Sequence, residues 1–331
     1  MGFSLEAVRE AHRLIQGLAR TTPLVEALSF SDQAGQPILL KLETLQPIGA
    51  FKIRGAAHAL LRLDEAARRR GVVCCSTGNH GKAVAYAARH LGIKATICLS
   101  NLVPEAKVQG IAAQGATIRR CGTSQDDAQR EADRLVREKG YTDISPFDHR
   151  NVILGQATIA LELLTECPDL TQIVVPLSGG GLLGGIAVAA KQIKPSIRVT
   201  GVSMAEGAAM HESLKAGHPI HVAEAPSLAD TLGGGINLTN QWTFKLCCDF
   251  ADETLLVSEE EIYRGMQALF RRERLIAEGG GAVGIAALLA GKLKLDGPTA
   301  MIISGQNADL DQIIAVAKGE PVRVGDRMVK G

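Results

Sequence analysis

The sequence carries almost no net charge: 36 lysines and arginines against 35 aspartates and glutamates leave +1. Without a dense basic stripe the chain lacks the field that recruits nucleic acid, and no such partner is expected. The densest basic runs, Arg68-Arg69-Arg70 and Arg271-Arg272-Glu273-Arg274, read as helix ends or solvated helix faces. Long hydrophobic runs are also missing. Glycine or charge interrupts each apolar stretch well short of the ~18 residues a membrane span needs. The N-terminus has no basic segment leading into an apolar one, so no secretory signal is expected. The seven cysteines form no C-x-x-C spacing, and two adjacent pairs, Cys74-Cys75 and Cys247-Cys248, bridge poorly. Buried, reduced thiols in a cytoplasmic protein are the expectation. The eight histidines show no His-x-x-x-His spacing, and no metal site is expected from them. Internal repeats and low-complexity tracts are absent.

What is present is an ordinary globular profile: 331 residues, 46% hydrophobic and 21% charged, enough for two domains sharing one cleft. Strand-like β-branched runs alternate with helix-period segments, which predicts an α/β fold with mostly parallel sheets flanked by helices. Ser4 caps a first helix with Leu5, Val8, Ala11, Ile15 and Leu18 on its apolar face, ended by Thr22-Pro23. A strand at Ile38-Leu39-Leu40 precedes a turn at 46–49 and a helix opening near Lys52. From residue 71 a compact unit follows: strands at 72–75, 95–99 and 117–120, with helices at 83–91, from about 104, and at 124–138. This suits a small domain over 66–148, closing over the substrate, inserted in a larger one made of 1–65 and 149–331. The second part reads as helices at 155–165, 182–191, 259–274 and 282–289 and strands at 172–176, 199–203 and 300–303. The final strand lies near the end of the chain, so no appended regulatory domain is expected.

Gly-rich turns mark where such sheets present their strand ends, and ligands bind at that edge. Ser178-Gly179-Gly180-Gly181-Leu182 follows an apolar strand and precedes a helix. Its backbone N–H groups and the helix dipole suit a phosphate; a tight connection that binds nothing is the plainer alternative. Gly179-x-Gly181-x-x-Gly184 also fits the dinucleotide fingerprint of a nicotinamide dehydrogenase. That reading needs an acidic residue at the end of the next strand, and Glu206 lies beyond it. Lys52 is a lysine like many others, and most simply keep a charged head in water. Asp148-His149 reads as structural, Asp309 and His90 as surface residues.

The segment Glu43-Thr44-Leu45-Gln46-Pro47-Ile48-Gly49-Ala50-Phe51-Lys52-Ile53-Arg54-Gly55-Ala56 closely resembles the cofactor-lysine motif of fold-type II pyridoxal-phosphate enzymes. Within that group it is similar to the serine/threonine dehydratases, whose relatives include serine racemase. Further matching segments occur in the family's order: Ser76-Thr77-Gly78-Asn79-His80-Gly81, Gly155-Gln156-Ala157-Thr158, Ser178 to Leu182, Glu278-Gly279-Gly280-Gly281-Ala282 and Ser304-Gly305-Gln306-Asn307. Gly201-Val202-Ser203-Met204 and Gly233-Gly234-Gly235 also resemble the hydroxyectoine-utilisation dehydratases.

The resemblance implies a two-domain, tryptophan synthase β-like fold, pyridoxal 5'-phosphate as cofactor, a small amino-acid substrate and a homodimer. It implies that Lys52 carries the cofactor as a Schiff base and later acts as general base, with Phe51 packing against the ring. Ser178, Gly179, Gly180, Gly181 and Leu182 would hold the phosphate, Asn79 the ring hydroxyl and Ser304 the ring nitrogen, and Glu278 would belong to the same cofactor site. Ser76, Thr77, Asn79 and His80 would hold the substrate carboxylate. The implied reaction converts a β-hydroxy-α-amino acid, of the serine, threonine, 3-hydroxyaspartate or β-aryl serine class, to a 2-oxo acid and ammonia. Racemisation, with Lys52 and Thr77 on opposite faces, is the alternative within the fold. The chain departs from the pattern at Ala50 and Ser178, and in Met204 and Met210, which fall near places where some relatives bind a divalent cation; Glu206 alone keeps that site open.

Overall fold

The computed structural model describes every residue except Met1, Thr77 and Pro104, with the side chains of Ala106 and Lys107 also outside the description. Two mostly parallel sheets carry the architecture. The larger has six strands in the order Leu24–Glu26, Ile38–Leu42, Thr299–Ile303, Gln172–Pro176, Arg198–Met204 and Glu253–Val257. Leu24–Glu26 is an antiparallel edge and the other strands run parallel, in registers such as Ile302 opposite Lys41 and Val175 opposite Gly201. The smaller sheet is wholly parallel, in the order Thr117–Arg120, Ala95–Leu99, Val72–Cys75, Thr142–Asp143.

Parallel sheets are covered on both faces, so their strands read as continuous apolar runs. In Gln172–Pro176, Ile173 and Val175 enter one core with Leu163, Leu183 and Ile186, while Val174 enters the opposite core with Ile262, Leu269 and Val283. The smaller sheet repeats this: Val72 and Cys74 pack under Val84 and Ile97, while Val73, Cys75 and Cys98 pack under Ala128 and Leu135. The first of these cores also takes Ile53, Ala56 and Leu60 from the helix Lys52–Leu61. That helix crosses the helix Arg150–Glu166, where a Cβ on Gly155 would stand 2.4 Å from the carbonyl oxygen of Arg54 and 2.6 Å from the Cα of Gly55. Only the absence of side chains lets the two backbones approach so closely.

Local chemistry sets the helix ends. Ser4 Oγ accepts the N–H of Ala7, as expected, yet that helix stops at Ile15, and Thr22-Pro23 instead leads into the edge strand. Ser124 and Ser258 form capping boxes with Asp127 and Glu261. The helix at 259 ends at Glu273 because Arg274 adopts φ 59°. Asp309 is a surface residue with a capping task, its Oδ1 accepting the N–H of Gln312. The thiols are free but unequally buried: Cys74, Cys75, Cys98 and Cys247 are inside, Cys121 and Cys167 partly exposed, and Cys248 at the surface, which corrects the expectation of uniform burial. Among the described residues no helix is long and apolar enough to cross a membrane.

Candidate active site

The carboxyl ends of two neighbouring strands of the larger sheet, Thr299–Ile303 and Gln172–Pro176, and of Val72–Cys75 in the smaller one deliver the site. After Ile303, the carbonyl of Ser304 accepts the N–H of Phe51 at 3.0 Å, and Gly305 bridges to Ala50. This short link fixes the start of the helix whose first residue is Lys52. After Pro176 comes the turn Ser178–Gly180, and the helix Gly181–Ile193 then begins without a side-chain cap. Its first N–H groups therefore have no partner within the helix.

The Lys52 amine donates to the carbonyl of Pro146 at 2.7 Å and lies 5.3 Å from the centre of the Phe51 ring. Burial lowers it from 10.5 to about 8, with Glu278 opposing. A buried amine that deprotonates this near neutrality is suited to attack a carbonyl. Glu278 is itself inside the protein. Its Oε1 accepts from Asn79 Nδ2 at 2.8 Å and its Oε2 from the Asn307 N–H at 2.9 Å. Burial, then Asp230, raises it from 4.5 to about 7 against the hydrogen bonds of Asn307 and Asn79. Asn79 also accepts from Asn307 Nδ2 at 2.7 Å, so its amide is tied to the larger sheet's loops.

From the smaller sheet, Val72–Cys75 runs into Ser76, whose Oγ accepts the Gly78 N–H at 3.4 Å. Thr77 lies outside the described residues. His80 is buried, with Nε2 2.7 Å from the carbonyl oxygen of Ile144 and Nδ1 without a partner among the described residues. Burial, then Lys52, lowers it to about 3. A neutral ring with its proton on Nε2 can only accept at Nδ1, which leaves the backbone N–H as what His80 can donate to an anion.

The three glycines have a packing reason as well. A Cβ on Gly179 would stand 2.4 Å from Cγ of Phe147, and one on Gly181 would stand 3.0 Å from the Phe147 Cα and carbonyl oxygen. Gly180 has φ +86°, and a Cβ there would meet Met210 at 2.6 Å. The segment Pro146–Phe147–Asp148 thus touches the Lys52 amine and the glycine turn. It also caps the helix Thr243–Phe250, as Asp148 accepts the N–H groups of Gln241, Trp242 and Thr243 at 2.6, 2.9 and 3.0 Å. Glu206, two residues past its strand, is engaged by Arg327 at 3.0 and 3.2 Å.

Beneath Lys52 lies a charge network that sequence reasoning did not anticipate. The Arg54 guanidinium donates to both oxygens of Glu43, each at 2.8 Å, and to both of Glu162, at 2.5 and 2.8 Å. Lys41 Nζ lies 2.7 Å from Glu162, and all four side chains are buried. The only local signal was a pair of opposite charges, Glu43 and Arg54, 11 positions apart.

With this geometry in place, comparison with known proteins decides the family. A family model for pyridoxal-phosphate dependent enzymes matches residues 15–305. The chain belongs to that family. A Sinorhizobium fredii protein, named provisionally as a threonine dehydratase, is 49% identical over 93% of each chain. The L-threonine ammonia-lyase of Thermotoga maritima is 37% identical over 98% of this chain and 81% of its own. Among solved structures, maize serine racemase superposes with a TM-score of 0.89 at 32% identity, over 95% of this chain and 96% of that one. With these relatives the chain is a fold-type II member of the serine/threonine dehydratase group, and its cofactor is pyridoxal 5'-phosphate. The residues present fit that group: a buried amine whose pKa is lowered to about 8, a helix start without a side-chain cap behind a glycine turn, and a His80 ring nitrogen with no partner among the described residues.

Proposed function

We propose that this protein is a dehydratase and ammonia-lyase, removing water from a small β-hydroxy-α-amino acid and releasing a 2-oxo acid and ammonia. The observation that carries this reading is the Lys52 amine, held 2.7 Å from a backbone carbonyl and lowered to about 8 by burial. Lys52 would attach the cofactor, Phe51 would pack beside it, and the N–H groups of Ser178, Gly179, Gly180, Gly181 and Leu182 would hold its phosphate. Bound there, pyridoxal phosphate supplies an electron sink for the charge left at the substrate's α-carbon. The Lys52 amine, when free, would take the substrate's α-proton as general base. Ser76, Thr77 and the N–H groups of Asn79 and His80 orient the substrate carboxylate. Asn79 adjoins the ring hydroxyl, with Glu278 and Asn307 fixing the Asn79 amide. Ser304 would partner the ring nitrogen, and a hydroxyl there would not enforce protonation as a carboxylate does, which would favour elimination over transamination. The α-hydrogen and the β-hydroxyl are lost together as one water, and the freed product, after tautomerising to an imine, takes up one water to give the 2-oxo acid and ammonia.

The smaller unit, residues 66–148, closes over the substrate while 1–65 and 149–331 hold the cofactor, and the protein acts as a cytoplasmic homodimer. Incubation with L-threonine and L-serine tests the reaction. Equimolar 2-oxo acid and ammonia are expected; recovery of D-serine in place of keto acid would assign a racemase instead.

A further inference from the structure

We infer that Phe147 lines the space receiving the substrate's β-substituent and selects against a charged one; this rests on the lyase reading and refines its substrate class. The Phe147 ring lies against the backbone of Gly179, since a Cβ there would stand 2.4, 2.6 and 2.7 Å from its Cγ, Cδ1 and Cδ2. The preceding residue, Pro146, accepts the Lys52 amine at 2.7 Å. Phe147 therefore stands between the amine that removes the α-proton and the turn that holds the phosphate. It is anchored there by the three N–H groups that Asp148 accepts. Yet the ring is partly exposed, and among the described residues it joins none of the four hydrophobic clusters. An aromatic ring held rigidly but left out of the core is available as a pocket wall.

A substrate whose α-carbon reaches Lys52 carries its β-carbon toward this wall. A methyl or aryl group there exchanges water for the ring. A carboxylate there would lose hydration beside the Phe147 ring and the Pro146 carbonyl oxygen, neither of which donates a hydrogen bond or carries positive charge, while the N–H groups of the glycine turn would be taken by the cofactor phosphate. An unpaired anion is expensive to desolvate. The favoured substrates are threonine and β-aryl serines, and the disfavoured one is 3-hydroxyaspartate.

The test uses the cofactor-loaded enzyme and its variants Phe147→Leu and Phe147→Ser. It measures kcat and KM for L-threonine and L-threo-3-hydroxyaspartate, with the cofactor's absorption as a check on site integrity. The parent and Phe147→Leu should prefer threonine by at least about tenfold in kcat/KM, and Phe147→Ser should lose most of that preference, mainly through KM for threonine. An unchanged ratio in a cofactor-loaded Phe147→Ser, or a parent that uses both substrates equally, overturns the assignment and leaves the lyase reading standing. Release of keto acid from neither substrate nor from L-serine overturns both. Should Phe147→Ser not hold cofactor, Phe147→Val carries the same comparison.

Discussion

Asn79 Nδ2 donates to Oε1 of Glu278 at 2.8 Å, joining residues 199 positions apart. The bond ties the loop after the smaller sheet's central strand to the helix start that follows Glu278. Glu278 sits at about 7 in the folded chain, raised from 4.5 chiefly by burial and next by Asp230. Because the folded value is the higher one, its protonation stabilises the fold fully below the unfolded value, and that contribution is lost as pH rises through about 7. Glu278→Gln does not titrate. In the cofactor-free protein, its melting temperature should gain on the parent's as pH rises from about 5 to about 8. Calorimetry across that range checks this, and a constant gap would contradict it.

Lys52 gives the companion prediction with the opposite sign. Burial lowers it to about 8, so the reactive neutral amine appears as pH rises through that value. The rate of cofactor capture by the cofactor-free protein should climb with a midpoint near 8 and then level off. Glu278 raises Lys52, so Glu278→Gln should move the midpoint down. Stopped-flow absorption would show it; a parent midpoint near 10.5 would mean the amine is not desolvated.

Arg54 grips Glu43 and Glu162 through paired hydrogen bonds at full burial. Arg54→Met leaves the buried Glu43 with the neutral donors Thr22 and Gln46 and no cation, and Glu162 with Lys41, and should cost about 3–5 kcal/mol in a urea unfolding series. Lysine cannot reproduce the planar fork, so Arg54→Lys should recover little of this. A loss below about 1 kcal/mol would show the network to be solvated.

The crossing at Gly155 is equally specific. A Cβ there meets the Arg54 carbonyl at 2.4 Å, with backbone on both sides and no flexible side chain to yield. Gly155→Ala should destabilise by about 1–3 kcal/mol and displace the helix that begins at Lys52. Cofactor affinity should fall with stability, measured by titration of the absorption band; unchanged affinity would separate this crossing from the site.

The sequence made the interior legible and the margins obscure. Val72–Cys75, Ala95–Leu99 and Gln172–Pro176 are wholly buried runs, and their apolar residues mark them plainly. Leu24–Glu26 and Thr142–Asp143 went unread because three or two residues are too few to show a period, and Glu253–Val257 because only Val257 in it is buried. The helix at 150 starts five residues before its reading at 155, since His149 caps it with backbone geometry and no side-chain bond. At the site, the ordered motifs pointed to Lys52 and the glycine turn. They did not reveal that Asn79 spends its amide on Glu278 and Asn307, nor that Arg54 finds Glu162 across 108 positions. Such pairings are set by the fold as a whole, and local pattern carries no trace of them.

Borohydride reduction of the cofactor-loaded protein, followed by peptide mapping, reaches the central claim most directly. The absorption band should shift, and the reduced pyridoxyl group should sit on the peptide containing Lys52. A label on any other lysine, or a protein that stays colourless when supplied with pyridoxal phosphate, would contradict the account.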